Sequence, residues 1–571
     1  MSADIAEPAE PAEATETPEA SSEASRTSGG ATTGHRSHAD PSGGHPLPQL
    51  RRSHWCSLDG SWDFAYDDAE TGLDRDWPSR GVGERTITVP LPPESGLSGI
   101  GETGYHPVVW YSRAITADDL ARAGRPTQGE RVLLHLGAVD YRASVWIDGR
   151  LVGEHEGGHV PFALDITRAL PSDGEDALLV VRAEDRPLDA GQPRGKQDWQ
   201  SEPHDIWQSV WLEAVPRTAI AELAWTPSRA CDAVELEVTA TRPVPEGSRI
   251  TARLTFEGRP LAEVTARLPE TTTTRLTVDL RQQLHGQHYE RLLWSPEHPR
   301  LINAEVMLSP AKAPLAGGTA ATGAGGTVPD VVASYLGLRT VGAKHRRFLL
   351  NGRPYYVRGV LEQGFWPDSH LAAPDDDARR DEVALIKELG FNAARVHQKV
   401  EDPRFLYWAD RLGLLVWGEM PAPYEFTTQA ITRLVTEWGA AVRRDRSHPS
   451  IVTWVPINES WGVQHLAERP EQRALSRALA DLTRAIDPSR PVISNDGWEH
   501  TYSDMISIHD YDADDLAVTL RYAEADGIDA LLAGLGPAGR RMTVQGAVDH
   551  DLPVMVTEFG GIRYVPDGAS G

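Results

Sequence analysis

Trp454-Val455-Pro456-Ile457-Asn458-Glu459-Ser460-Trp461-Gly462 begins as one kind of structure and ends as another. Ile451 and Val452 lead into it as a short apolar, β-branched run, the pattern of a strand buried on both faces. The run then breaks into a polar Asn-Glu pair bracketed by tryptophans. An ionised carboxylate held from water without partners is strongly disfavoured, so a buried strand that ends in one implies a task for it. A second such strand, Pro553-Val554-Met555-Val556-Thr557-Glu558-Phe559-Gly560-Gly561, delivers another Glu from its C-terminal end. Two carboxylates facing one cleft are the equipment of glycoside hydrolysis.

Around these strands, from Tyr335 onward, short apolar runs alternate with helical patterns. Tyr355 to Val360 is followed by a helix over Asp377 to Leu389, then the strand Phe391 to Val396 and a helix over Pro403 to Leu412. Leu414 to Glu419 precedes a helix over Gln429 to Arg446, then Ile451 to Asn458 and a helix over Glu471 to Ile486. The strands Pro491 to Asn495, Met505 to His509 and Pro553 to Glu558 complete the series. Repeated β-α units argue for a parallel sheet, and this many in succession argue for a (β/α)8 TIM barrel, whose active residues sit at the C-terminal ends of strands. Counted from Tyr355, Glu459 ends the fourth strand and Glu558 the seventh. Ile562 to Gly571 contains Gly, Pro and Asp and does not read as a strand and helix, so the expectation is a barrel lacking its last β-α unit.

Upstream the rhythm is different. Residues 46–216 carry short alternating runs with turn signals between them, including Ala143 to Ile147 and the hairpin dipeptide Asp148-Gly149. That spacing predicts a jelly-roll β-sandwich, of the kind that binds sugar. Residues 217–334 read as an immunoglobulin-like β-sandwich in which 311–330, rich in Ala, Gly and Thr, is flexible. Residues 1–45 are low in complexity and too poor in apolar surface to order, so a disordered acidic tail is expected. The fold class is therefore multidomain β plus α/β, with 335–571 as the catalytic barrel.

With 56 basic against 83 acidic residues the chain carries a formal charge of −27, which makes nucleic acid and anionic membranes poor partners. Cys56 and Cys231 stand far apart, so neither a disulfide nor a metal-ligand spacing is read from them. No 18-residue apolar run spans a membrane, and no basic and apolar leader opens the chain; the expectation is cytoplasmic. No cofactor and no metal is expected, and a homo-oligomer is left open.

The motifs together resemble glycoside hydrolase family 2, the family of β-galactosidases, β-glucuronidases and β-mannosidases. The likeness runs from about residue 50 to 571 through Val139 to Ala143, Asp148-Gly149, Gly337 to Thr340 and Leu350 to Gly352. It continues through Arg395 to His397, His448 to Ser450, Asn458-Glu459 and Thr557 to Gly560. The resemblance implies retention of anomeric configuration, with Glu459 as acid/base and Glu558 as nucleophile. The sequence departs from the family at Gly359 to Trp366 and at Gly418 to Pro421, it has no counterpart of the Glu-x-His of the magnesium site, and the Asn-x-Lys that holds a uronic acid would lie beyond the chain's end or is absent. The sugar is accordingly left unnamed.

On the residues themselves, Glu459 is expected to be the neutral carboxyl, raised by apolar walls from Trp454 and Trp461 and by the charge of Glu558. Asn458 is placed to bond the sugar 2-hydroxyl, Arg395 to hold Glu558 ionised and Tyr511 to donate to it. His397, His509, Trp461, Asn495 and Trp498 are candidate sugar contacts, although Asn495 to Trp498 also reads as a plain turn. Glu362 and Trp366 lie on the loop after the first strand, where they shape the subsite. Glu419 either binds a hydroxyl or pairs with Arg395. The reading is a retaining exo-β-glycosidase acting on β-linked sugars such as galactosides or glucuronides. Its alternative is an inactive or truncated carbohydrate-binding relative.

Overall fold

Strand Gly60–Tyr66 alternates its side chains, burying Trp62 and Phe64 while Ser61 and Asp63 face out. It belongs to a six-stranded antiparallel sheet that packs on a four-stranded one built from Cys56–Ser57, Ile206–Val215, Arg131–Val139 and Phe162–Asp165. Tyr111 and Val181 from the first sheet meet Leu134, Leu136 and Val210 from the second in a shared core. The expected hairpin is present: Asp148 and Gly149 have φ of 47° and 76°, the left-handed pair a two-residue turn requires. The chain is a computed structural model that describes residues 44–125, 131–172, 174–196, 205–284, 290–311, 328–523, 525–544 and 551–560. The tail through residue 43, the 312–327 stretch of the expected linker, and Ile562 to Gly571 lie outside the described residues. His45 corrects the end of the tail, since it is fully buried with Nε2 3.0 Å from Glu213 Oε1.

A second sandwich packs the sheet of Ile220–Pro227, Ala233–Val244 and Thr271–Asp279 on that of Arg259–Arg267, Arg249–Phe256, Ile302–Ser309 and Asp330–Leu336. Leu236 and Val238 meet Ile250, Leu254 and Val306 between them. Its last strand runs two residues past the expected boundary at 334. Both cysteines are free and buried in the two sandwich cores.

The barrel strands β1 (Gly359–Glu362), β2 (Ala393–Val396), β3 (Leu415–Glu419) and β4 (Ile451–Val455) form a parallel sheet in that order. Helices α1 (Asp376–Glu388), α2 (Pro403–Leu412) and α3 (Thr428–Asp445) cross between them, and α4 (Pro470–Ile486) follows β4. Asp375, Asp402 and Thr427 cap the first three helices by accepting from Ala378, Arg404 and Ala430. Pro491 to Asp496 takes the next place through single parallel bridges, Trp454 to Val492 and Asn458 to Asp496, instead of the continuous strand expected. β5 (Ile506–Asp510) and β6 (Val554–Phe559) pair in parallel. The first strand starts later than expected: Tyr355 N donates to Phe348 O at 3.0 Å, next to the small sheet whose last strand is Arg353–Pro354. Among the described residues, no helix is long and apolar enough to cross a membrane.

Buried cations fasten the layers. Arg339 donates from Nε to Pro449 O at 3.0 Å and from Nη2 to Ile451 O at 2.7 Å, which joins the barrel entry to the start of β4. Arg52 bridges the sandwiches: Nη1 donates to Glu213 at 2.7 Å and Nε to Asp330 at 2.8 Å, while Asp330 also accepts Ile220 N at 2.7 Å. Removing one member of a buried ion pair leaves uncompensated charge, at a cost of about 3–5 kcal/mol. Arg52→Ala is therefore expected to lower the first thermal unfolding transition by several degrees, whereas the exposed Arg275→Ala leaves it unchanged; calorimetry of both variants checks this.

Candidate active site

The inward position at the C-terminal end of β2 is an arginine. Ala393 packs in the barrel interior and Ala394 against the helices, so Arg395 points inward by simple alternation. Its guanidinium is buried and every nitrogen is engaged. Nη1 donates to Glu558 Oε1 at 2.6 Å, Nη2 to Asn458 Oδ1 at 2.7 Å and Nε to Glu419 Oε2 at 2.8 Å. Nε also lies 2.8 Å from Asp496 Oδ2. Asp496 is held far below the ordinary carboxylate range: burial opposes its charge, but Arg395 and His509 outweigh it. Glu419 resolves to the pairing role, with Oε1 accepting Gln398 N at 3.0 Å and standing 3.1 Å from His397 Nδ1.

Two local irregularities bring the glutamates together. β6 carries one extra residue against β5, so the register steps from Ile508↔Val556 to His509↔Glu558 and skips Thr557. This bulge sets Glu558 opposite His509, and Thr557 Oγ1 instead donates to Asp496 Oδ1 at 3.0 Å. After β4, Glu459 and Ser460 both take left-handed backbone conformations, φ 52° and 58°. Such a pair of non-glycine residues persists only where the surroundings over-determine it. Here Glu459 N donates to Asp496 O at 3.0 Å and Ser460 N to Asn495 Oδ1 at 2.8 Å, while Ser460 Oγ donates to Glu499 Oε2 at 2.7 Å.

The outcome is compact. One polar atom from each of Glu459, His509 and Glu558 lies within 4.8 Å of the others, the one group of three potential metal ligands among the described residues. His509 Nδ1 is 2.8 Å from Glu459 Oε1, and Tyr511 OH donates to Glu558 Oε2 at 2.5 Å. Burial alone would make His509 harder to protonate, but its bonds to Asp496 and Glu459 lift it to about 9. A protonated imidazole committed to Glu459 suits proton handling and repels a cation. Burial likewise pushes the Glu459 carboxyl up, yet the His509 bond and the charges of His509, Lys196 and Arg395 hold it below its ordinary value. The expected raised Glu459 is thus corrected. Trp454 is no wall for it either, since that ring faces the helices, 5.6 Å from Trp438, with Nε1 donating to Asp487.

The structure gathers Glu459, Glu558, Asn458, Arg395, His397, His509 and Tyr511 at one end of the barrel. Asn458 Nδ2 is buried with no partner among the described residues. Trp498 stands edge-on to His509 at 5.7 Å, and Trp461 lies half-buried 5.2 Å from Tyr424. Asn495 is corrected from a sugar contact to a brace of the Ser460 backbone. Glu362 is also corrected: it ends β1 rather than following it, accepts Gly364 N, and its carboxyl is raised by burial and by Glu382 and Glu401, away from the cluster. Trp366 is tied by its backbone to His370 at 2.7 and 2.8 Å, and no described contact joins it to either glutamate. Sequence reasoning missed Asp496 because Asn-Asp-Gly reads as a turn. The rule that found Glu459, a carboxylate ending an apolar run, applies equally to Pro491 to Asp496.

Comparison with known proteins agrees with this arrangement. Residues 341–520 match the description glycosyl hydrolases family 2, TIM barrel domain. The β-glucuronidase of Canis lupus familiaris is 28% identical over 496 residues, 80% of this chain and 71% of that protein. A β-galactosidase of Thermoanaerobacter pseudethanolicus is 27% identical over 397 residues, 68% of this chain and 49% of that protein. The structure of Lactobacillus rhamnosus β-glucuronidase has the same fold, with a TM-score of 0.68 at 20% identity over 91% of this chain and 86% of that one.

A folded-state value above the unfolded one means that His509 contributes stability that is complete below its unfolded value of about 6.5. That contribution disappears as pH rises through about 9. The gap in melting temperature between the native protein and His509→Gln should therefore be widest near pH 6 and narrow steadily toward pH 9.5; scanning fluorimetry across that range checks it.

Proposed function

This chain is a glycoside hydrolase of family 2, and we propose that it is a retaining exo-β-glycosidase working by double displacement. The reading is carried by the separation of the two glutamates. Glu459 and Glu558 present atoms within 4.8 Å of each other, close to the ~5–5.5 Å of retaining enzymes and too close to admit the water of an inverting one. Glu558 is the nucleophile. Its two oxygens accept from Arg395 and Tyr511, which fix its orientation. It attacks the anomeric carbon and forms a glycosyl-enzyme ester while the glycosidic oxygen leaves.

Glu459 supplies the proton for that departure. The Glu459–His509 pair carries it on Nδ1 of His509, 2.8 Å from Glu459 Oε1. A sugar entering the cleft removes water from Glu459, which draws the proton across, and Glu459 passes it to the leaving oxygen. In the second half Glu459 takes a proton from water, the hydroxide opens the ester, and the proton returns to the pair. Asn458, with Oδ1 fixed by Arg395, turns its unpartnered Nδ2 to the sugar 2-hydroxyl. His397 and Trp498 line the same subsite.

The two β-sandwiches ahead of the barrel are assigned as jelly-roll and immunoglobulin-like, and the substrate as a β-linked glucuronide, galactoside or similar sugar. Support for that class comes from the relatives, which carry the names β-glucuronidase and β-galactosidase. A panel of aryl β-glycosides assayed on the full chain tests it, and no turnover of any would defeat the proposal. Glu558→Gln should lower kcat by at least ~10³-fold, on the scale of losing a nucleophile. Azide should rescue Glu558→Gly and give a product of inverted configuration by NMR. Glu459→Gln should spare aryl glycosides with acidic phenol leaving groups far more than alkyl glycosides, because only the latter need the proton.

A further inference from the structure

Glu499, which accepts the Ser460 hydroxyl, is itself held by a part of the chain far from the acid/base in sequence. Between β5 and β6 the chain forms helices α5 (Asp515–Tyr522) and α6 (Ala525–Ala533). A tight turn follows, in which Gly536 N donates to Arg540 O at 2.7 Å and Gly539 supplies the left-handed step at φ 72°. Just past the turn, Met542 is buried with Ile506 and Ile508 of β5 and Leu531 and Leu532 of α6, which anchors the turn to the barrel. Backbone bonds fasten the same strip beside Glu499: Glu499 N donates to Arg541 O at 2.8 Å and His500 N to Met542 O at 2.9 Å.

The anchored turn presents Arg540 to Glu499. Nη2 donates to Glu499 Oε2 at 2.8 Å, the same oxygen that accepts Ser460 Oγ at 2.7 Å. Asn495 Nδ2 donates to Ser460 Oγ at 3.0 Å, which directs the hydroxyl proton to Glu499. Nη2 also donates to Gln464 O at 3.2 Å, on the loop that follows Glu459, and the guanidinium carbon lies 5.9 Å from the centre of the Trp498 ring. Glu499 is buried, and Arg540 is the one cation paired with it among the described residues. Glu499 is also left-handed, at φ 49°. Glu459, Ser460 and Glu499 are thus three non-glycine residues in a conformation that persists only under constraint, and the side-chain bonds of the last two end on one guanidinium.

We propose that Arg540 is a positioning residue for the acid/base, holding the turn that carries Glu459 in place through Glu499 and Ser460. This rests on the reading of Glu459 as the acid/base. The effect is specific to the proton transfers of Glu459, because Glu558 is oriented separately by Arg395 and Tyr511.

The test compares kcat/KM for a 2,4-dinitrophenyl and a 4-methylphenyl β-glycoside of whichever sugar of the panel is turned over. Dinitrophenolate departs without a proton, whereas the methylphenol oxygen needs one from Glu459. Taking the ratio of the two within each variant cancels the amount of folded protein. Arg540→Gln should lower the methylphenyl-to-dinitrophenyl ratio about tenfold, within the loss that a ~1 Å misplacement of a reacting group causes. Ser460→Ala should lower it similarly, and Arg540→Lys should recover part of it. The double variant should lose no more than the larger single loss, because both act through one chain of bonds. A merely structural arginine would lower both substrates together and leave the ratio as it is. An unchanged ratio in Arg540→Gln or in Ser460→Ala, or losses that multiply in the double variant, would overturn the positioning role while leaving hydrolysis intact. A native protein that turned over no aryl β-glycoside would overturn the hydrolytic reading and the positioning role with it.

Discussion

Arg395 is the constraint on which the barrel mouth depends. Glu419, Asp496 and Glu558 arrive from three different strand ends and are all buried. Three carboxylates that close repel one another and are costly to desolvate, so the site is tolerable only with a fixed cation among them. The planar guanidinium meets this need because it presents donors in several directions at once, where an ammonium would act as a point charge. Glu419 and Asp496 hold the arginine so that Nη1 faces Glu558, whose Oε1 accepts from it at 2.6 Å.

The closeness of Glu459 and Glu558 comes from departures from regular structure. Parallel strands in register would have put Thr557, not Glu558, beside His509. A regular continuation of β4 would have carried Glu459 along the barrel axis; two left-handed residues turn it across the mouth instead. Both departures are pinned by the same segment, Asn495-Asp496. Asn495 accepts the Ser460 amide, and Asp496 accepts Thr557 Oγ1 and offers its carbonyl to the Glu459 amide. The broken fifth strand is therefore not a defect of the barrel. Its backbone and side chains brace Glu459, Ser460 and Thr557.

What was legible in the sequence follows from this division. Regular elements announce themselves by period, so α1 to α4 were read to within a residue of each end, and both glutamates stood out because a carboxylate after an apolar run is physically odd. Bulges, left-handed turns and bridged segments leave no period. Asn495 consequently read as a sugar contact when it is a brace, and Asp496 went unnoticed inside a turn motif. The protonation of Glu459 was misjudged for a related reason: the neighbours that decide it, His509 and Lys196, are 50 residues downstream and 263 upstream, and no local pattern could weigh them against the adjacent tryptophans. Glu362 was assigned to the subsite as part of the loop after the first strand, but it ends that strand and its buried carboxyl lies near Glu382 and Glu401.

The sandwiches matter to the site for a mechanical reason. The turn after β2 carries His397 and then Gln398, which sits in a left-handed conformation at φ 47°. From inside the barrel that turn is held by Glu419, which accepts the Gln398 amide. From outside it is held by the sandwich, through Gly195 lying against Gln398 O and through Gln398 Oε1 accepting Ala422 N at 3.2 Å. The loop after β3 is bonded to the same sandwich segment by way of Tyr424. Two barrel loops that flank the cleft are thus clamped between a buried carboxylate and another folding unit. Ordering them costs conformational entropy, about 1–2 kcal/mol for each residue fixed, and the clamp settles that cost during folding rather than when substrate binds. Barrel and sandwich therefore meet beside the cleft, and the loops after β2 and β3 are held at their junction.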